Sequence, residues 1–114
     1  MIKNKNNTEH YYWGNKCEGF HLVKTKNLSV IQEIMPPYTK EKRHLHNKSQ
    51  QFFYILSGTA SFIIENDLIQ VNKGSGIHIQ PKIKHQIQNN QSFELEFLVI
   101  SEPTTKNDRI NDKE

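Results

Sequence analysis

The chain has 114 residues, 34% of them hydrophobic and 24% charged, with 15 Lys+Arg against 12 Asp+Glu for a formal charge of +3. That length allows one domain with one core. The positive excess is spread out, and its densest cluster (Lys40, Lys42, Arg43) is broken by Glu41, so no nucleic-acid partner is expected. The single cysteine, Cys17, excludes an internal disulfide. With no signal-like start and no membrane-length apolar run, a cytoplasmic protein without a membrane partner is expected.

In chain order, residues 1–10 are polar and rich in Asn and Lys, and Tyr11, Tyr12 and Trp13 follow. Residues 1–19 are expected to form a partly ordered N-terminal arm whose aromatic side chains bury on the domain or on a partner subunit. Phe20–Lys24 and Leu28–Met35 read as strands, the second ended by Pro36-Pro37, since neither proline can donate to a ladder. Lys40–His46 is expected to be one extended segment. Strands follow at Gln51–Leu56, Thr59–Glu65, Leu68–Val71, Ile77–Gln80, His85–Gln88 and Phe93–Ile100, separated by turn residues such as Ser57-Gly58 and Asn66-Asp67. Many short strands with regular turn signals and no helical period predict an all-β sandwich or closed barrel over residues 20–103. Residues 104–114 are expected to be a frayed polar tail.

Phe52-Phe53-Tyr54-Ile55-Leu56 is apolar at every position, unlike a strand with one face in water. If Gln51, Phe53 and Ile55 face inward, then Phe52, Tyr54 and Leu56 need an outer cover. The aromatic arm or a second subunit would supply it, and a homodimer through a sheet face is expected.

His44 and His46 are two residues apart in an extended segment, so their imidazoles share a face while Leu45 takes the other. With His85 they offer three neutral nitrogen donors, and Gln51 offers an amide oxygen as a fourth. Such a set suits a divalent transition metal (Zn, Ni, Fe, Mn or Cu) with a position left for water or ligand. Histidines at strand ends are also commonly just solvated or hydrogen-bonded, so the pair alone does not establish a metal.

The surrounding pattern resembles the two sequence motifs of the cupin superfamily. His-x-His, four residues, an acidic or amide ligand, six residues and glycine fall on His44, His46, Gln51 and Gly58 without a gap. Gly74, His85 and Asn89 match the second motif. The resemblance implies a double-stranded β-helix, a jelly-roll-like barrel, with His44, His46, Gln51 and His85 as its metal ligands. Tyr38 and Lys82 stand where the motifs usually carry glycine, and Gln80 where proline is common. Gln51 replaces the usual glutamate, which leaves the full +2 of a divalent ion and favours Lewis-acid chemistry over iron cycling. The chain is also similar to small single-domain bacterial cupins that combine this glutamine with Gln-Phe-Phe-Tyr-Ile-Leu-Ser-Gly at 51–58 and Phe-Leu-Val-Ile-Ser-x-Pro at 97–103.

Tyr38, Tyr54 and His78 are the candidates for proton transfer, although His78, flanked by Ile77 and Ile79, faces outward if those isoleucines are core. Two functions follow. One is a metal-dependent enzyme, isomerase- or epimerase-like or dioxygenase-like, acting on a small polar metabolite such as a sugar derivative or an oxygenated compound. The other is a non-catalytic barrel that binds or senses a small molecule, its metal structural or absent.

Overall fold

Alternating burial along each strand sets the architecture. In the computed structural model, which describes residues 1–112, the chain runs β1 (His10–Trp13), β2 (Cys17–Lys24), β3 (Ser29–Met35), β4 (Thr39–Lys40), β5 (His44–His46) and β6 (Gln50–Ser57). It continues β7 (Thr59–Ile64), β8 (Asp67–Asn72), β9 (Gly76–Ile79), β10 (His85–Asn89), β11 (Leu95–Glu102) and β12 (Arg109–Asn111), with no helix among the described residues. One sheet has the order β1-β2-β3-β11-β6-β9 and the other β12-β5-β10-β7-β8, with β4 paired to β10. Every pairing is antiparallel. The expected all-β barrel is the observed fold.

Each strand delivers every second residue to the interior. Phe53 and Ile55 of β6 face in, opposite Val99 and Phe97 of β11. From the other sheet come Phe62 of β7 and Ile87 of β10, themselves direct partners. Phe53 meets Phe62 edge-on at 5.1 Å between ring centroids, joining the two sheets. These side chains, with Met35, Leu95 and Cys17, form one apolar cluster.

Three expectations change. Lys40–His46 is not one strand: Ile87 N–H donates to the Glu41 carboxylate (3.0 Å), so a side chain takes the ladder position between β4 and β5. The aromatic end of the arm is held against the domain, because β1 pairs along β2 and sends Tyr11 and Trp13 inward. It therefore lies at the far edge of the first sheet and does not cover Phe52 and Tyr54, which stay 37% exposed. The tail does not fray at 104–112. Asp108 accepts backbone N–H bonds from Asn47, Lys48 and Ser49 (2.9–3.2 Å), and β12 then pairs with β5. The last two residues of the expected tail lie outside the described residues.

Tyr38 and Lys82, which replace the motif glycines, both adopt positive φ, 58° and 70°. The turns keep the glycine-type backbone, at a cost of about 1–2 kcal/mol for each side chain. Gly58, at φ 87°, retains it without that cost.

Candidate metal centre

β5 presents His44 and His46 to the interior and Leu45 away from it, while β10 brings His85 directly opposite His44. All three histidines are buried. One ring nitrogen from each lies within 4.8 Å of the others.

The hydrogen bonds fix which nitrogen is free. His44 Nδ1 sits 2.7 Å from the carbonyl of Lys42, and His85 Nδ1 sits 2.9 Å from that of Ile83. A carbonyl only accepts, so both Nδ1 atoms carry the proton and both Nε2 atoms keep a lone pair. His85 Nε2 then faces Gln51 Oε1 at 3.2 Å. The Gln51 amide nitrogen donates to Ser101 Oγ (3.0 Å), which aims the amide oxygen inward. Two acceptors facing each other in a buried site repel unless a cation lies between them. Ligands about 2.1 Å from one ion at right angles stand about 3 Å apart, so the spacing suits neighbouring coordination positions. His46 Nδ1 is buried without a hydrogen-bond partner.

Burial holds all three rings neutral, the form that binds metal. Desolvation, then His85, pushes His44 down to about 3 and His46 down to about 4, and desolvation also lowers His85. The donor set fits a divalent transition metal: three imidazoles with two tautomers fixed by the backbone, and an oriented amide oxygen.

His44, His46 and Gln51 border a cavity of about 160 Å³. It is also lined by Glu33, Glu41, Tyr11 and Arg109, none of which stood out in the sequence as a site residue. Glu33 shares the inward face of β3 with Ile31 and Met35, and that parity was its one readable signal. Tyr11 Oη donates to Glu33 (3.3 Å) across Gly19, where a Cβ would stand 2.2 Å from the tyrosine ring. Desolvation, with Glu41 nearby, pushes the Glu33 carboxyl up to about 8, and desolvation pushes Glu41 up to about 7 against the pull of Arg109. At neutral pH Glu33 is thus largely a neutral acid able to donate a proton. Arg109 arrives on β12 directly opposite His46, where its guanidinium donates to the carbonyl of Lys42.

The proton-transfer candidates named from sequence are elsewhere. Tyr38 is 72% exposed and Tyr54 points from the outer face of β6. His78 is exposed on β9 and bonded to the outward Gln50 (2.8 Å). Each lies outside the cavity because strand parity or a surface turn turns it away.

The Cupin_2 model of the cupin domain matches residues 31–101, well over half of the chain, so the chain belongs to the cupin family. The uncharacterized protein MJ1618 of Methanocaldococcus jannaschii is 32% identical over 83 residues, which span 73% of this chain and 66% of that protein. Among solved structures, KdgF from a Halomonas species superposes with a TM-score of 0.84 at 10% identity, covering 94% of this chain and 98% of that one. A predicted oxalate decarboxylase from Thermotoga maritima gives 0.83 at 20%, covering 91% and 100%. A cupin sugar phosphate isomerase from Silicibacter pomeroyi gives 0.80 at 17%, covering 91% and 76%. At such identities these likenesses show the shared fold. Among the described residues no helix is long and apolar enough to cross a membrane.

Proposed function

We propose that the chain is a metal-binding single-domain cupin that acts on a small polar metabolite, a sugar derivative or another oxygenated compound. His44, His46, Gln51 and His85 would hold a divalent transition metal. The observation that carries this reading is the set of three buried, neutral imidazoles, two of them with the Nδ1 proton tied to a backbone carbonyl. Such an ion, when bound, supplies Lewis-acid polarisation of a carbonyl or hydroxyl oxygen, or a site for oxygen chemistry. The neutral Gln51 favours the first, because it leaves the charge of the ion undiminished.

The protein's own groups then take the remaining roles. In the metal-free protein burial pushes the Glu33 carboxyl up to about 8, and it faces the cavity, which suits it to exchange a proton with a substrate oxygen. Tyr11 orients that carboxyl. Arg109 offers positive charge beside His46, suited to an anionic or hydroxylated substrate group. A sugar phosphate isomerase among the solved structures of this fold agrees with carbonyl chemistry on a sugar. The half-exposed Phe52 and Tyr54, beside Leu98 and Ile100 on one outer sheet face, support a homodimer through that face. The single buried thiol agrees with a cytoplasmic setting.

The test is elemental analysis of protein purified without chelator, beside a His44→Ala/His46→Ala variant. Near-stoichiometric metal in the parent and none in the folded variant is expected. A folded parent that carries no metal and takes up none would overturn the reading.

A further inference from the structure

The cavity beside the histidines, at about 160 Å³, is smaller than the roughly 300–1,000 Å³ typical of small-molecule sites. A second cavity of about 610 Å³ adjoins it, and the two share Tyr11, Ile31 and Thr105 in their walls. Its other side chains set it apart, for Lys24, Lys26 and Lys106 all line it. Lys24 is engaged by the Glu9 carboxylate (2.9 and 3.0 Å). Among the described residues, neither Lys26 nor Lys106 has a carboxylate within ion-pair distance. Three cations against one carboxylate leave the wall with a local excess of positive charge.

Uncharged polar groups accompany the lysines. His21, from the inward face of β2, lines this cavity, and its Nδ1 is buried without a hydrogen-bond partner. Its other nitrogen, Nε2, lies 3.9 Å from Glu9. The hydroxyls of Ser29, Thr104 and Thr105 complete the lining. Unpaired ammonium groups and hydroxyls are what a compact, multiply charged oxyanion requires. Lysines rather than a planar arginine fork match a phosphate held as a point charge.

We propose that this larger cavity is a phosphate subsite, taking the phosphoryl group of a small phosphate ester whose oxygenated end reaches into the smaller cavity beside His44 and His46. Phosphate binding at the lysines stands alone, whereas the placement of the other end rests on the metal reading above. The ester would thus be sorted by two chemistries, an anion at the mouth and oxygen donors within.

The test uses metal-free full-length protein and inorganic phosphate, followed by amide and imidazole NMR at constant ionic strength, in the parent and in the His44→Ala/His46→Ala variant. Saturable shifts at Thr25, Lys26, Thr104, Thr105 and the His21 ring are expected in both proteins. In a Lys26→Ala/Lys106→Ala variant phosphate affinity should fall at least about tenfold, with the rest of the spectrum and metal uptake unchanged. Absent saturable shifts at these residues, or undiminished ones in the lysine variant, would overturn the subsite and leave the metal reading intact. A folded parent that takes up no metal yet keeps these phosphate shifts would overturn the metal reading alone. Once phosphate is bound, a metal-loaded parent that binds glucose 6-phosphate no more tightly than phosphate would overturn the placement of the second end.

Discussion

The two ends of β10 carry buried polar side chains on the same face, His85 and Asn89, and they are treated in opposite ways. Asn89 is fully satisfied. Its Nδ2 lies 2.9–3.1 Å from the carbonyls of Met35, Pro36 and Phe93, and its Oδ1 accepts from the backbone and side chain of Gln91. Gln91 in turn clasps Thr59 beside Gly58, so two motif residues close this end of the barrel. His85 has its Nδ1 tied down, but its Nε2 faces another acceptor. Buried polar groups with every partner present mark a structural joint, whereas a lone pair left facing a lone pair marks a place for a cation.

That contrast can be broken by exchanging the roles of the two residues. His85→Ala should lower metal affinity on the order of 100-fold or more and leave the fold assembled. Asn89→Ala should do the reverse, costing about 2–4 kcal/mol through carbonyls left without donors. Metal affinity of its folded fraction should be unchanged. Calorimetric metal titration and urea denaturation of both variants separate the two effects. Equal losses in both assays for both variants would erase the distinction.

Gln51→Glu sharpens the account of the open end. A carboxylate in place of the amide should raise divalent-metal affinity about tenfold while destabilising the metal-free protein by about 1–3 kcal/mol through an unpaired buried charge. Metal titration together with thermal melts with and without metal reads both changes.

The pH dependence of the metal-free protein follows from the same groups. Folded His44 and His46 titrate near 3 and 4, below the ordinary 6.5, so their stability contribution is present above about pH 6.5 and is lost as pH falls. Folded Glu33 and Glu41 titrate near 8 and 7, above the ordinary 4.5, so their stability contribution is lost as pH rises toward 8. Between about pH 4.5 and 6.5 the two pairs oppose one another, so stability should be nearly level there and fall on either side, with each unopposed group contributing a slope of about 1.4 kcal/mol per pH unit. Urea midpoints across pH 4–9 check this, and Glu33→Gln should flatten the alkaline side.

The smallest effect belongs to the turns. Tyr38→Gly and Lys82→Gly relieve positive φ but add freedom to the unfolded chain, so each should stabilise by about 0.5–1 kcal/mol. Denaturation midpoints would show it.

Much of this was legible in the sequence, because motif spacing and strand parity both survive folding. His44, His46, Gln51, His85 and Gly58 could be placed by their match to the cupin motifs, and the outward turn of Tyr54 from alternation along β6. The second side of the cavity was not legible. Glu33 and Tyr11 meet only because β1 adds to the edge of β2 and Gly19 clears the way for the ring. Arg109 reaches the site through a three-residue strand with too few positions to show a period, held by Asp108 on the turn after β5. Long-range pairings of this kind leave no local pattern.

The most direct test of the metal centre is nitrogen-15 NMR of the imidazoles in the metal-free protein at pH 7, followed by titration with zinc. His44 and His85 should be neutral, protonated at Nδ1. One equivalent of zinc should then shift one ring nitrogen of each of the three histidines, Nε2 in His44 and His85, while the Asn89 side-chain amide stays in place. Protonation at Nε2 in His44 and His85, or three imidazoles indifferent to zinc in the folded protein, would contradict the account.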